Sequence, residues 1–245
     1  MVAYREEIAN WLRDYASHAG AAGYVVGLSG GIDSATTAGL CQKAAGSAVL
    51  GVLMPCHSSP DDAEMALLVA EAFALEIINV DLAASFDSLQ AALPSDLTEM
   101  ARANIKPRLR MAVLYALAQT RGYLVAGTGN KSELLVGYYT KYGDGGVDVE
   151  PLGDLYKWQV RELALELGVP RQVIDRPPSA GLWAGQTDES ELGMTYDELD
   201  AALAAIEAGD SRGIDAILLR RVQRMIAVSE HKRSMPPTPR LRSSI

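Results

Sequence analysis

Cysteine is scarce in this chain. Cys41 and Cys56 are the only two among 245 residues. They form no CxxC pair and cannot build a disulfide framework. Two isolated thiols suit a reducing compartment, so a cytoplasmic location is expected. Histidine is also sparse: His18, His57 and His231 lie far apart, which argues against a zinc site. Long apolar runs are missing. Gly, Asp or Lys interrupts every stretch well short of the roughly 18–20 residues that a membrane span needs. Arg5, Glu6 and Glu7 sit in the first eleven residues, unlike a signal peptide. Positive charge is in deficit, with 22 Lys and Arg against 31 Asp and Glu and a formal charge of −9. That balance excludes a non-specific nucleic-acid binder, and neither nucleic acid nor membrane is expected as a partner. The exception is the end of the chain, where His231, Lys232, Arg233, Arg240 and Arg242 occur without an acid between His231 and Arg242. Such a tail is either a solvated end or a lid for a phosphorylated ligand.

What is present describes one sizeable α/β domain spanning residues 1–245. Apolar residues make up 49% and charged residues 22%, as in an ordinary globular protein. There is no internal repeat, low-complexity tract or dividing linker. Ile8, Trp11, Leu12 and Tyr15 form a helical stripe. Residues 24–28 read as a short strand, followed by Ser29-Gly-Gly-Ile-Asp-Ser34 and a helix to about Ala45. The unit recurs. Strands are expected over 48–54, 75–80 and 123–126, and a helix over 107–120 with Leu109, Ala112, Val113, Ala116 and Leu117 on one side. Ser59-Pro60-Asp61-Asp62 reads as a capped helix start. Residues 138–146 form a Gly-rich aromatic loop, and helices are expected over 156–167, 196–208 and 214–228. Strands alternating with helices predict a doubly wound parallel sheet, Rossmann-like, covered on both faces, with a helical C-terminal part. Ligands bind beyond the carboxyl ends of such strands, where both Gly-rich loops fall.

The first motif, Ser29 to Ser34, carries a physical logic. Gly30 and Gly31 let the backbone approach a phosphate, the following helix start faces the anion, and Ser29 and Ser34 add hydroxyls. It lacks the GK[ST] ending of a Walker A loop. The full pattern resembles the pyrophosphate loop of the ATP pyrophosphatases, which form acyl-adenylates. Asp33 has two roles open to it: an acid at a helix start, or a Mg²⁺ ligand beside the phosphates. In Gly127-Thr-Gly-Asn-Lys-Ser-Glu133, Glu133 either completes a capping box with Asn130 or supplies a second Mg²⁺ carboxylate. Arg108 and Arg110 form either a solvated face or an anion clamp, and the solvated face is favoured on these residues alone.

Five further segments carry a closer resemblance. They are Gly137-Tyr-Tyr-Thr-Lys-Tyr-Gly-Asp-Gly-Gly-Val-Asp148 with Pro151-Leu-Gly-Asp-Leu-Tyr-Lys157; Pro178-Ser-Ala-Gly-Leu182; Gln186-Thr-Asp-Glu189; Glu191-Leu-Gly-Met-Thr-Tyr-Asp-Glu198; and Ser229-Glu-His-Lys-Arg233. In this order they resemble the NAD synthetases, and they span nearly the whole chain. The resemblance implies ATP binding by Gly27, Leu28, Ser29, Gly30, Gly31, Ile32, Asp33 and Ser34, with contacts from Thr128, Lys157 and Ser179. It implies Mg²⁺ on Asp33 and Glu133. It implies deamido-NAD binding by Arg108, Lys141, Asp148, His231 and Lys232, with Asp144 a neighbour. Leu53 and Met54 fall where the family places adenine, though strand core explains them equally well. Tyr138, Tyr139, Tyr142 and Trp183 either stack on a ligand ring or fill core.

The activity so implied is ammonia-dependent amidation of deamido-NAD. The nicotinate carboxylate attacks the α-phosphate of ATP, and ammonia displaces AMP from the acyl-adenylate. Asp33, Lys157 and Asp144 are the expected catalytic residues, Asp144 by assisting ammonia. A homodimer is implied too. No N-terminal glutaminase domain is expected before a first strand near Tyr24. Residues 57–62 and 180–192 are candidate lids. A GMP-synthetase-like or tRNA-modifying enzyme and a non-catalytic nucleotide-binding module are the competing readings.

Overall fold

The computed structural model describes residues 2–179, 181 and 187–239. Helix α1 (Val2–Ala19) leads into β1 (Tyr24–Gly27). Helix α2 (Ile32–Ala45) returns the chain to β2 (Val49–Leu53), and α3 (Pro60–Ala72) to β3 (Glu76–Asn79). Then α4 (Ala83–Ala92), α5 (Glu99–Ala103) and α6 (Ile105–Arg121) precede β4 (Leu124–Ala126). The remainder is helical: α7 (Lys131–Val136), α8 (Lys157–Leu167), α9 (Arg171–Ile174), α10 (Asp188–Leu192), α11 (Tyr196–Ala208) and α12 (Ala216–Arg233).

The four strands form one parallel sheet in the order β3-β2-β1-β4. Alternation along β1 explains why both faces are covered. Tyr24 and Val26 point to one side, where they pack with Leu12, Leu40 and Leu163 from α1, α2 and α8. Val25 points to the other, with Leu50, Val52 and Val125, against Phe86 of α4 and Leu109, Val113 and Leu117 of α6. Each such side chain contributes roughly 1.5–3 kcal/mol when fully buried. A third cluster joins Tyr196, Leu199 and Leu203 of α11 to Val222 of α12, Val136 of α7 and Leu192 of α10, forming the helical C-terminal part. The doubly wound expectation therefore holds. Strand β1 lies between β2 and β4, so the chain changes direction across the sheet there. The loops after β1 and β4 flank that switch point, where open parallel sheets leave a crevice for ligands.

Several details depart from the sequence pattern. In α1, Leu12 is buried, but Trp11 and Tyr15 are 44% and 41% exposed and pack on each other with centroids 5.6 Å apart. The inward stripe is Ala9, Leu12 and Ala16, small enough for α1 to pack closely against its neighbours. In α6, Ala112 and Ala116 are exposed, and the packed side runs through Leu109, Val113 and Leu117. Helix α12 continues to Arg233, five residues beyond the expected end at Val228. The stretch 81–106, which carries no strong periodic signal, forms α4 and α5. Of the two candidate lids, Pro60–Asp62 is the first turn of α3 and Asp188–Leu192 is α10. Residues 180 and 182–186, including Trp183, lie outside the described residues, as do Arg240 and Arg242.

Candidate active site

The loop after β1 makes the first wall. Gly30 has φ +78°, a backbone conformation that glycine adopts without strain, and a Cβ there would press on Met65 Cβ at 3.0 Å. Gly31 is the N-cap of α2, and no side chain caps that helix. Its first-turn N–H groups are thus left for an anion, with the helix dipole behind them. Ser29 Oγ and Ser34 Oγ lie 3.1 Å apart, and Ser34 Oγ donates to Gly31 O at 2.9 Å, which sets the loop's curvature.

The loop after β4 makes the second wall. Asn130 and Glu133 form the capping box of α7: Asn130 Oδ1 accepts from Glu133 N at 3.0 Å, and Glu133 Oε2 accepts from Asn130 N at 3.4 Å. The two roles left open for Glu133 are not exclusive. Its other oxygen, Oε1, accepts from Lys157 Nζ at 3.2 Å and from Tyr196 Oη at 2.9 Å. Asn130 also serves twice, since its Nδ2 donates to Asp33 Oδ1 at 3.0 Å. Asp33 Oδ2 in turn accepts from Lys157 Nζ at 2.5 Å. Thr37 Oγ1 of α2 donates to Gly127 O at 3.2 Å and ties the two loops together.

Lys157 is the hub. It opens α8 and its side chain is 1% exposed. Its backbone N–H donates to Ser132 Oγ at 3.0 Å, and Asp200 of α11 accepts from Trp158 N at 3.2 Å and pairs with Ser132 Oγ. The Tyr196 ring lies 4.6 Å below the ammonium. Burial alone would lower the Lys157 pKa, but Asp33 and Glu133 outweigh it and hold it above the ordinary lysine value. Burial pushes the Glu133 carboxyl up to about 7; Lys157 opposes that rise, while Asp33 and Asp188 add to it. One ammonium therefore serves more negative charge than it neutralises. A divalent cation fits that surplus. Among the described residues no group of three His, Cys, Asp or Glu is arranged to hold a metal. Asp33 and Glu133 are the two carboxylates present here, and Mg²⁺ prefers one or two carboxylates together with phosphate oxygens and water.

Beyond Glu133 lies a small cavity of about 40 Å³, lined in part by Thr128, Leu134, Tyr139, Asp144 and Glu150. Asp144 keeps solvent access in this concave region, yet desolvation by the surrounding protein holds its carboxyl above the ordinary value. Asp144 Oδ1 accepts from Thr140 N at 2.9 Å, which folds the Gly-rich loop back on itself.

The expected dinucleotide residues behave differently. Lys232 Nζ donates to Gly137 O and Tyr139 O, both at 2.7 Å. Lys141 Nζ donates to His231 O, and Arg108 Nη2 reaches Lys141 O at 3.4 Å. Arg108, Lys141 and His231 are thus brought into one chain of contacts, with His231 itself exposed, while Lys232 is tied to the loop after α7. Asp148 is used elsewhere: its oxygens accept from Val125 N of β4 at 2.8 Å and Tyr115 Oη of α6 at 3.1 Å. Ser179 is exposed after α9 and accepts from Gly181 N at 3.1 Å. Arg110 is part-buried and does not lie on a solvated face. It donates to Met54 O at 3.2 Å and Ser58 Oγ at 3.3 Å, bracing the loop after β2. Leu53 and Met54 are buried, with Met54 beside Gly27. Tyr138 donates to Asp188 Oδ1 at 3.1 Å and Glu191 Oε2 at 2.5 Å, Lys232 lies over the Tyr139 ring at 5.2 Å, and Tyr142 is 55% exposed.

Sequence reasoning missed three supports of the site. Arg176 donates to Gly30 O at 3.4 Å and Asp62 Oδ1 at 2.9 Å, clipping the first loop to α3, and nothing in its local sequence announces this. Asp188 accepts from Tyr196 Oη at 3.0 Å; both lie in quoted motifs, but their meeting is tertiary. Glu150 packs under the second loop.

Comparison with known proteins agrees with this geometry. The family model described as NAD synthase matches residues 4–236. An NH(3)-dependent NAD(+) synthetase from Carboxydothermus hydrogenoformans is 48% identical over 240 residues, covering 96% of each chain. An NMN synthetase from Francisella tularensis superposes with a TM-score of 0.90 at 38% identity, covering 97% of this chain and 98% of that one. An NH3-dependent NAD synthetase from Campylobacter jejuni, solved with nitrate, superposes with a TM-score of 0.84 at 29% identity, covering 97% and 98%.

Proposed function

The chain belongs to the NAD synthase family, and from that premise we propose that it makes NAD from deamido-NAD, ATP and ammonia. The observation that carries this reading is the convergence of Asp33, Glu133 and Lys157 beside an uncapped helix start at the switch point of the sheet. That is a site for a polyphosphate with its metal.

The reaction has two steps. A nicotinate carboxylate oxygen forms a bond to the α-phosphorus of ATP as the bond to pyrophosphate breaks. Ammonia then adds to the acyl carbon, AMP leaves and one proton is lost. The first nucleophile is already an anion, so the protein's task is charge and position. The N–H groups of residues 31–34 and the hydroxyls of Ser29 and Ser34 receive the phosphates. Lys157, held in place by its two carboxylates, is the cation that meets the departing pyrophosphate oxygens. Asp33 and Glu133 would hold Mg²⁺, which neutralises charge on the phosphates when bound. Thr128 and Ser179 add ATP contacts. Arg108, Lys141, Asp148, His231 and Lys232 form the dinucleotide end. Asp144 lies beside the cavity that the amine enters, and its raised carboxyl suits proton acceptance.

A homodimer is part of the reading. Strand β3 is an open edge with Ile77 40% exposed, and Leu89, Leu93 and Met100 are exposed on the elements that follow. Light scattering at twice the chain mass is the expected result. No helix among the described residues is long and apolar enough to cross a membrane.

The test is a coupled assay with deamido-NAD, ATP, Mg²⁺ and ammonium, following NAD and AMP. Glutamine replaces ammonium in one control. Nicotinate mononucleotide replaces deamido-NAD in another, because the Francisella neighbour is an NMN synthetase. NAD from ammonium alone supports the reading. Amidation of the mononucleotide with none of deamido-NAD overturns the substrate.

A further inference from the structure

Glu150 is a carboxylate at the site with no part in the mechanism above. It follows Val149, which bridges to Ala126 at the end of β4, and its side chain turns back under the second Gly-rich loop. Glu150 Oε2 accepts from Gly129 N at 3.1 Å. The loop is shaped around it. A Cβ at Gly127 would lie 2.5 Å from Glu150 Cδ, and one at Gly129 would lie 3.3 Å from Oε1. The distance at Gly127 leaves no room for both groups and the one at Gly129 is tight, so the glycine at 127 above all gives the carboxyl its seat. No ion pair neutralises it among the described residues. Burial pushes its pKa up to about 8, so near neutrality the carboxyl is largely protonated and its oxygen serves as a plain acceptor.

The loop that Glu150 supports presents two groups of the site. Thr128 lines the cavity beside Glu133. Asn130 holds Asp33 and caps the helix carrying Glu133. We propose that Glu150 is a positioning residue for the ATP end of the site: its hydrogen bond to Gly129 fixes the loop that sets Thr128, Asn130 and, through Asn130, both metal-binding carboxylates. The proposal rests on the assignment of ATP to these loops. It predicts that Glu150 acts on ATP and not on the dinucleotide, whose cations hang on α6, α12 and the loop after α7.

The experiment compares Glu150→Ala, Glu150→Gln and Gly127→Ala with the wild type, reading KM for ATP, KM for deamido-NAD and kcat. ATP binding is measured separately by calorimetry with Mg²⁺ present. The expected result for Glu150→Ala is an ATP KM and Kd raised about tenfold, the loss of one buried hydrogen bond, with the deamido-NAD KM unchanged. Glu150→Gln keeps an acceptor of the same shape and should restore ATP binding. Gly127→Ala pushes the carboxyl from its seat and should reproduce the Glu150→Ala defect even if that variant fails to fold. Unchanged ATP KM in both Glu150→Ala and Gly127→Ala overturns the proposal. So does Glu150→Gln as impaired as Glu150→Ala, because that pattern requires the ionised group. If the wild type binds ATP but makes no NAD, the functional reading fails while calorimetry still tests the brace; if it binds no ATP, both fall.

Discussion

The two ends of the site are built in opposite ways. At the proposed ATP end, charged side chains face one another: Lys157 lies between Asp33 and Glu133, and the helix start of α2 is left uncapped. At the proposed dinucleotide end, the cations face backbone: Lys232 and Lys141 donate to carbonyls, and Asp148 accepts from β4. The first end carries a charge imbalance that a bound cation or a proton on Glu133 relieves. The second is already satisfied, so its residues shape a surface before they bind anything. At the two carboxylates of the first end function should therefore separate from stability, and at the second end the two should move together.

The largest effect should come from removing the hub. Lys157→Met is expected to lower kcat about 10³-fold, as loss of a preorganised charge on the leaving pyrophosphate. It also leaves buried carboxylates unpaired, at about 3–5 kcal/mol, and Mg²⁺ should recover part of that in a thermal melt. Equal melting with and without Mg²⁺ would break the claim of surplus charge. Next in size are Asp33→Asn and Glu133→Gln, expected to cost about 10²-fold in kcat with little change in melting, checked by AMP formation and calorimetry. At the other end, Lys232→Met is expected to cost about 1–3 kcal/mol in urea unfolding, because the Gly137 and Tyr139 carbonyls lose their donor. A pure KM effect there would erase the contrast between the ends. The smallest concerns pH. Glu150 has its folded pKa raised to about 8, so the folded state keeps a proton the unfolded state has lost. Its contribution to stability is present below the unfolded carboxylate pKa and is lost as pH rises through about 8. Glu150→Gln should flatten that part of the stability profile.

Much of this was legible in the sequence, for physical reasons. The strand–loop–helix rhythm and the Gly30-Gly31 turn are local, and local chemistry fixes them. The Asn130–Glu133 spacing announced a capping box, and the structure contains one. Pairings between distant segments were not legible. Lys232 is 95 residues from Gly137, and Arg176 is 146 from Gly30, so no spacing rule connects them. In α1 the stripe Ile8, Trp11, Leu12 and Tyr15 divides: Ile8 and Leu12 pack on the core, while close helix packing selects the smaller Ala9 and Ala16 over Trp11 and Tyr15. Glu150 escaped notice because it falls between the two quoted segments, after Asp148 and before Pro151, and belongs to no motif. Its importance comes from the two glycines opposite, which the fold brings to it.

The account turns on activation of a carboxylate by ATP before ammonia is used. The most direct measurement is exchange of labelled pyrophosphate into ATP, with Mg²⁺ present and ammonium withheld. Exchange that requires deamido-NAD and disappears in Lys157→Met is the expected result. NAD formation on adding ammonium, with no exchange in its absence and no acyl-adenylate trapped, would contradict it.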